Sequence, residues 1–507
     1  MDHPPQLSRP LSIDPLAATA GLARDCGTLL LHGQRSWAGR PARSLLLFAP
    51  RWVLRQRAGG PARWSGETPT PHPPQPDALS LLGHFGASRS TVRHTEGMWF
   101  PGLAGFLGYE LGWRGWSPPR PAPPPFRLPS AWIGAYDCGL LFGGGRSPRL
   151  MVSSLGPWSP PPPSTPGTWS IHPESGPRPP AGVLPPWRRT LLARADWAQD
   201  LLEGAARRPE ARLASGTRRR EEGDSPTSLP DPELPDPGHH RRAFQRIRRH
   251  LLAGDIYQAN LTGFATARTE VSPWEAFLHQ ARLNPVPFAA YLRTEEATLT
   301  SHSPELLLQT DGERAETAPI KGTVSDEHGD WNTLQSSGKD RAEHLMIVDL
   351  CRNDLGICAR PGTVEVVSFM EELKLRGLVH LVSRIQAMVP RGRQAELLGA
   401  LFPGGSITGA PKRRAMEIIA AVEAHQRGPY TGSIGMVDAS GRQQWNLAIR
   451  TAVWQDGRVS FGCGGGIVVD SDPDREYEEA VLKARSFFAT LSALADRAVT
   501  RHPAAAS

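Results

Sequence analysis

Apolar residues recur along this chain in three textures. Up to about residue 150 they form short runs between Gly and Pro, such as SLLLFAP (residues 44–50) and GLAGFLGYELGW (residues 102–113). Such runs predict strands and a mostly β region. Proline breaks ladders and helices alike, so WSPPRPAPPPF (residues 116–126) and PWSPPPPSTPG (residues 157–167) read as loops or extended linkers. From about 207 to 240 the chain turns charged and Pro-rich, as in RRREEGDSPTSLPDPELPDPGHH. That composition can bury little, which predicts a flexible connector.

After it the periodicity becomes helical and strand-like by turns. HRRAFQRIRRHLLAGD puts Phe244, Ile247 and Leu251 at helical spacing and stops on Gly254. IYQANLTGFATAR is a strand by composition. TLTSHSPELLLQTDGERAETAPIKGT predicts a hairpin turning at Asp311-Gly312, which returns Glu305 and Lys321 to the same end. Pro304 and Pro319 interrupt the ladder, so spacing leaves the relative orientation of the two side chains open. Two helices follow. SSGKDRAEHLMIVDLCRND carries apolar Ala342, Leu345, Met346 and Ile347 after a serine start. DSDPDREYEEAVLKARSFFATLSALADRA begins on Asp472 as N-cap with Pro473 at the first helical position. Tyr477, Val481, Ala484, Phe488 and Leu491 make its core stripe, while Glu476, Glu479 and Lys483 share another.

Composition narrows the class. The chain has 507 residues, 39% of them hydrophobic, enough for a large core. Net charge is +7. That excess is scattered arginine without an aromatic-plus-basic recognition motif, so no nucleic-acid partner is expected. Five cysteines form no CxxC pair and no zinc spacing, which fits a reducing cytoplasm. The N-terminus lacks a basic segment followed by an apolar one, and no run reaches the ~20 apolar residues of a membrane span. The expectation is a cytoplasmic protein with no membrane contact.

One count changes the picture of the chemistry. Only five cationic residues are lysines, against 52 arginines: Lys321, Lys339, Lys374, Lys412 and Lys483. Arginine stays charged, whereas a desolvated lysine can lose its proton and act as nucleophile or base. Among the glycine-rich loops, PGGSITGAPKRRAMEII has the Gly404–Gly409 spacing of a phosphate loop. It fails that motif, with Ala410 in the lysine position and Arg413 after Lys412. It still opens a helix whose backbone N–H groups suit a carboxylate or phosphate. FGCGGGIVVDSDP offers Gly464, Gly465 and Gly466 for close backbone approach to a ligand, or for a tight turn. Glu343, Glu476 and Glu479 would repel one another if brought together without a cation, and Mg2+ is the hard cation that takes such oxygen ligands.

The ordered set SPELLL, APIKGT, DRAEHLMIVDLCRNDLG, GLVHLVS, PGGSITGAPK, PYTGSIG, NLAIRT and GCGGGIVVDSDPDREYEEAVLKA resembles the chorismate-utilising enzymes. This family includes anthranilate synthase component I, aminodeoxychorismate synthase component I, isochorismate synthase and salicylate synthase. The resemblance runs from about residue 240 to 494 and continues more weakly upstream through LLLHGQRSW and GLAGFLGYELG. It implies an α+β fold, a two-sheet antiparallel sandwich flanked by helices, to which the N-terminal strands contribute. By sequence the chain divides into an N-terminal region (1–205) with Pro-rich insertions, a connector (206–240), a chorismate-binding catalytic region (241–495) and a tail (496–507).

At Lys321 the family divides. Anthranilate and isochorismate synthases look like PIAGT there, and aminodeoxychorismate synthases look like PIKGT, as here. The resemblance therefore implies conversion of chorismate and ammonia to 4-amino-4-deoxychorismate, toward 4-aminobenzoate and folate. It implies Lys321 as covalent nucleophile at C2 and Glu305 as general acid/base. It implies Mg2+ held by Glu343 and Glu479 with Glu476 close by. Thr408, Tyr430, Arg450, Gly464, Gly465, Gly466 and Lys483 match positions that bind the substrate's carboxylates, and His380 matches a histidine lining the site. A separate glutamine amidotransferase subunit would supply ammonia, since no Cys-His-Glu set for glutamine hydrolysis stands in this sequence. Two features vary. Ile357 replaces the arginine of the family's RNDLGR, and NPVPF (residues 284–288) resembles a segment lining a tryptophan pocket in relatives. Anthranilate synthase component I, of tryptophan biosynthesis, fits everything except Lys321. A non-catalytic chorismate-binding relative is the alternative of another class; the presence of Glu305, Lys321, Glu343 and Glu479 argues against it.

Overall fold

The computed structural model describes residues 6–33, 37, 41–57, 62–66, 77–89, 99–153, 186–208, 231–325, 331–375 and 378–500. The proline run at 157–167, most of the connector (209–230) and the end of the tail (501–507) lie outside them.

Two eleven-stranded antiparallel sheets form the body. The first runs, in hydrogen-bonded order, Gln6–Pro10, Arg146–Ser153, Cys138–Gly143, Arg43–Leu47, Leu29–His32, Phe288–Arg293, Thr298–Ser303, Thr451–Gln455, Arg458–Ile467, Gln258–Arg268 and Gly409–Ala410. The second runs Ile320–Ser325, Leu378–Met388, Arg314–Ala318, Leu306–Asp311, Gln443–Asn446, Ser433–Asp438, Gly102–Leu107, Ala131–Ala135, Trp52–Gln56 and Ala62–Gly66, with Glu365–Leu375 added beside Leu378–Met388.

Period-two alternation sorts the side chains. In LLL of Arg43–Leu47, Leu45 and Leu47 enter the layer between the sheets, where they meet Phe106, Trp132 and Met436 from the other sheet. Leu46 points outward, into a cluster with Leu22, Ala198, Leu202 and Phe277 of the covering helices. The second sheet is covered by Ala78–Arg89, Gly338–Gly356 and Gln394–Leu401. Residues buried on both faces explain why the strands read as continuous apolar runs. The result is the helix–sheet–sheet–helix sandwich that the resemblance implied. N-terminal strands are woven into both sheets: Leu29–His32 pairs with Phe288–Arg293, and Gly102–Leu107 with Ser433–Asp438. No helix among the described residues is long and apolar enough to cross a membrane.

Some elements differ from expectation. The helix Pro237–Leu252 begins inside the segment read as connector, because Asp236 caps it through Gly238 and His239 and Pro237 pre-sets its first turn. Glu233, just before it, already bridges to Thr266. The predicted hairpin turn shifts by one residue: Asp311 pairs with Arg314, leaving Gly312 and Glu313 as the loop, with Gly312 at φ +63°. The helix Gly338–Gly356 buries His344, Ile347, Val348, Cys351 and Leu355, while Ala342 and Leu345 lie exposed. Its inward stripe starts on a polar residue, His344, whose Nε2 meets Ser383 Oγ at 2.7 Å.

Arg427 ties the layers together near the sheet end that matters below. It is 1% exposed, pairs with Glu423 at 2.7 Å, and donates to the carbonyls of Ile407 and Asn260 at 2.8 and 2.9 Å. Removing one partner of a buried ion pair typically costs about 3–5 kcal/mol. Arg427→Met is predicted to lose stability on that scale in urea unfolding. A loss below about 1 kcal/mol, the scale of an exposed pair, would contradict the clamp.

Candidate active site

The strands that end the two sheets on one side carry the chemistry-bearing residues: Ile320–Ser325 and Leu378–Met388 in one, Arg458–Ile467, Gln258–Arg268 and Gly409–Ala410 in the other. Irregular backbone brings Glu305 and Lys321 together. The strand after Glu305 is bulged between Leu306 and Leu308, and the Lys321 strand between Lys321 and Thr323. Bulges break the strict alternation that would otherwise separate the two side chains. At the second bulge Gly322 sits at φ +67°, a conformation costly for other residues.

Glu305 is 5% exposed, and its Oε1 accepts a hydrogen bond from Ser406 Oγ at 2.5 Å. Burial pushes its carboxyl up to about 7, against the opposing pull of Ser406 and the Lys321 charge. Lys321 is half-buried, and burial lowers its ammonium below the usual lysine range. Glu343, then Glu305, oppose that lowering, while the Lys483 charge adds to it. The arrangement is an amine that gives up its proton more readily than a surface lysine, beside a carboxyl that keeps its proton longer than a surface glutamate.

His380 lies next to the Lys321 bulge, in register with Thr323. Its Nε2 is 3.3 Å from a guanidinium nitrogen of Arg450. Arginine only donates, so Nε2 accepts and the ring is neutral. Burial and then the Arg450 charge push His380 down to about 3. Arg450 is half-buried at φ +51°, and its carbonyl is held by the His302 N–H. Burial alone brings its guanidinium down to about 10. With no carboxylate partner among the described residues, Arg450 is suited to a planar anion.

Opposite stand the glycines. Gly464, Gly465 and Gly466 are the half-exposed positions in the otherwise buried end of Arg458–Ile467. A Cβ at Gly465 would lie 3.3 Å from a Glu476 oxygen. Lys483 Nζ donates to the Gly464 carbonyl at 2.8 Å and to Glu479 at 2.9 Å. Glu476 is buried and accepts from Ser471 Oγ at 2.7 Å. The Lys339 ammonium lies 3.9 Å from Glu343 and 4.0 Å from Glu476, so one cation already sits between carboxylates of two helices. Among the described residues no three of His, Cys, Asp or Glu stand close enough together to enclose a metal unaided. Two carboxylates about one cation do fit Mg2+, which keeps water and often takes a substrate oxygen.

Thr408 and Tyr430 are placed differently. Thr408 is fully buried, and its hydroxyl donates to the Gly404 carbonyl at 2.9 Å. Tyr430 packs in the layer between the sheets, its ring 6.1 Å from that of Phe264 and so close to Gly462 that a Cβ there would fall 2.1 Å from it. Residues that sequence reasoning missed are Ser406, Asn260, Gln258 and Lys339. Ser406 lay in a loop read for its glycines. Gln258 and Asn260, two apart and so on one face of a strand, were a signal of inward polarity within IYQANLT.

The profile of the chorismate binding enzyme family matches residues 59–489. The chain belongs to that family. It is 43% identical over 250 residues to anthranilate synthase component 1 1 of Haloarcula marismortui, covering 48% of this chain and 51% of the relative. It is 40% identical over 250 residues to aminodeoxychorismate synthase component 1 of Bacillus subtilis, covering 48% and 53%. The chain thus spans about half the length of the curated relatives it matches. Its fold is that of anthranilate synthase component I from Streptococcus pneumoniae TIGR4, with TM-score 0.69 and 23% identity over 88% of this chain and 92% of that one. MenF, the menaquinone-specific isochorismate synthase of Escherichia coli, superposes with TM-score 0.64 at 15% identity, covering 96% and 95%.

The Glu305 carboxyl has a folded value raised from 4.5 to about 7. Its protonated form therefore adds stability below about pH 4.5, and that contribution is lost as pH rises through about 7. Glu305→Gln, which stays neutral, is predicted to melt above the wild type at pH 8, with the gap narrowing toward pH 5. The full effect is bounded near ~3 kcal/mol, since each tenfold change in proton affinity is worth about 1.4 kcal/mol. A melting difference that does not change with pH would contradict the burial of an ionisable carboxyl there.

Proposed function

We propose that this chain converts chorismate and ammonia to 4-amino-4-deoxychorismate. The observation that carries the reading is Lys321, an amine of lowered proton affinity within the electrostatic reach of the buried Glu305 carboxyl. Relatives bearing the anthranilate and the aminodeoxychorismate names match at 43% and 40% identity, so overall likeness does not choose between them. The lysine in PIKGT is what supports the aminodeoxychorismate reading.

In this reading neutral Lys321 adds to C2 of chorismate while Glu305 protonates the departing C4 hydroxyl, which leaves as water. Ammonia then adds at C4 and gives one proton to the Glu305 carboxylate, the ring double bonds shift back, and Lys321 is expelled from C2 as the neutral amine. Arginine could not serve, being protonated at any working pH. Arg450 and the backbone at Gly464, Gly465 and Gly466 bind substrate carboxylates, with Lys483 beside them and His380 holding Arg450 in direction. Thr408 and Tyr430 shape the wall behind them. Glu343 and Glu476, with Glu479 adjacent, would hold Mg2+, which when bound supplies positive charge to a substrate carboxylate. A separate glutamine amidotransferase subunit provides ammonia in the cytoplasm, and ammonium salts replace it in vitro.

Purified protein with chorismate, Mg2+ and ammonium is predicted to form 4-amino-4-deoxychorismate. Direct appearance of fluorescent anthranilate would overturn the reading in favour of anthranilate synthesis. Lys321→Ala is predicted to lose activity on the order of a hundredfold or more, or to drift toward an anthranilate-type product. Wild-type kinetics in that variant would remove the lysine from the mechanism.

A further inference from the structure

The hydrogen bond to Glu305 continues past Ser406. Ser406 lies in the turn Gly405–Ile407 and is 5% exposed. Its hydroxyl donates to Glu305 Oε1 at 2.5 Å, and its carbonyl accepts from Asn260 Nδ2 at 3.0 Å. Asn260 Oδ1 in turn accepts from Gln258 Nε2 at 3.1 Å. Each link sets the next. Because Asn260 directs its amide nitrogen to a carbonyl, its oxygen must face Gln258, and Gln258 must present a nitrogen. Backbone contacts pin the same region: Asn260 N–H donates to the Thr408 carbonyl at 2.9 Å, and Arg427 clamps Ile407 and Asn260 together.

We infer that Ser406 is the positioning residue of Glu305, held in place by Asn260 and Gln258 from the neighbouring sheet. With one oxygen fixed by the serine, the carboxyl cannot rotate freely, and its second oxygen keeps a constant direction. A carboxyl that must protonate one particular hydroxyl needs such a constraint, since misdirection of a general acid costs rate even when binding is intact. The serine also favours the charged form, because a donor to a carboxylate stabilises it. Removing the hydroxyl therefore raises the proton affinity of Glu305 whichever protonation state the reaction requires.

Other groups face the same carboxyl. Lys321 approaches from Ile320–Ser325, and Cys351 and Asp354 from Gly338–Gly356 share a small pocket with Glu305. Asp354 is itself paired with Lys412 at 2.6 Å. Ser406 lines the same pocket, but its hydroxyl donates to Glu305 and to none of these groups, so their charges stay in place when the hydroxyl is removed.

The kinetic arm of the test rests on the chorismate reading, and the spectroscopic arm does not. The infrared band of the protonated Glu305 carboxyl is assigned as the one lost in Glu305→Gln, which separates it from Asp354. Its titration midpoint is predicted to rise by about one pH unit in Ser406→Ala and to stay in place in Ser406→Thr. With chorismate, Ser406→Ala should lose roughly tenfold in kcat with KM little changed, and the Glu305 limb of its pH profile should move to higher pH. Threonine should restore both. A midpoint unmoved in Ser406→Ala, or Thr as damaging as Ala, overturns the assignment. If Ser406→Ala does not fold, Asn260→Ala reads the same carboxyl one link further out; a smaller rise supports the chain and no rise refutes it. Should the wild type leave chorismate unchanged, the chorismate reading fails while the infrared titration still decides the role of Ser406.

Discussion

A half-buried lysine amine and a buried glutamate carboxyl within each other's electrostatic reach set the terms for the rest of this molecule. Desolvation disfavours the charged form of both, while their mutual attraction favours it. Lys321 and Glu305 sit near that balance: the amine lowered, the carboxyl raised to about 7. The two shifts narrow the gap in proton affinity that separates an ordinary lysine from an ordinary glutamate. The balance depends on neighbours. Glu343 is the foremost of the charges that keep the amine from falling further, ahead of Glu305, and Lys483 works against them.

The sandwich makes this burial possible. Lys321, His380 and Gly464 to Gly466 stand on strands at one end of the two sheets, and Glu305 and Arg450 on short links beside inner strands. Regular alternation serves the packed middle of the sheets, as in Leu45, Leu46 and Leu47. At the site the pattern is broken by bulges, by Gly322 and by Arg450 at positive φ. Such local departures cost stability and persist only where the surroundings hold them. Arg427, with its buried pair and two carbonyl contacts, is one of the residues that does so.

This division explains what could be read from the chain. The strands of the middle and the helices flagged by Asp472-Pro473 or by Phe244, Ile247 and Leu251 follow from local rules, and they are where spacing placed them. The fold class and the list of chemistry-bearing residues came through the resemblance, because motifs far apart in sequence are joined only by topology. Orientation was another matter. Whether Glu305 faces Lys321 depends on bulges that leave no mark in an apolar–polar pattern. The helix at Pro237 was hidden by a proline-rich composition, although its cap was the same Asp-Pro pair recognised further on. Ser406, Asn260 and Gln258 escaped notice because inward polar residues are informative only once it is known which way they point. Lys339 stood out only as one of five lysines, because its neighbour Glu476 comes from another helix.

The central claim is that Lys321 forms a bond to the substrate, and mass spectrometry tests it directly. The protein is incubated with chorismate and Mg2+ without ammonia, quenched in acid and digested. The account predicts that the peptide containing Lys321 gains the mass of chorismate less one water, and that Lys321→Ala or added ammonium abolishes the adduct. Turnover of chorismate with ammonium by a protein that never carries this adduct, even when ammonia is withheld, would contradict it.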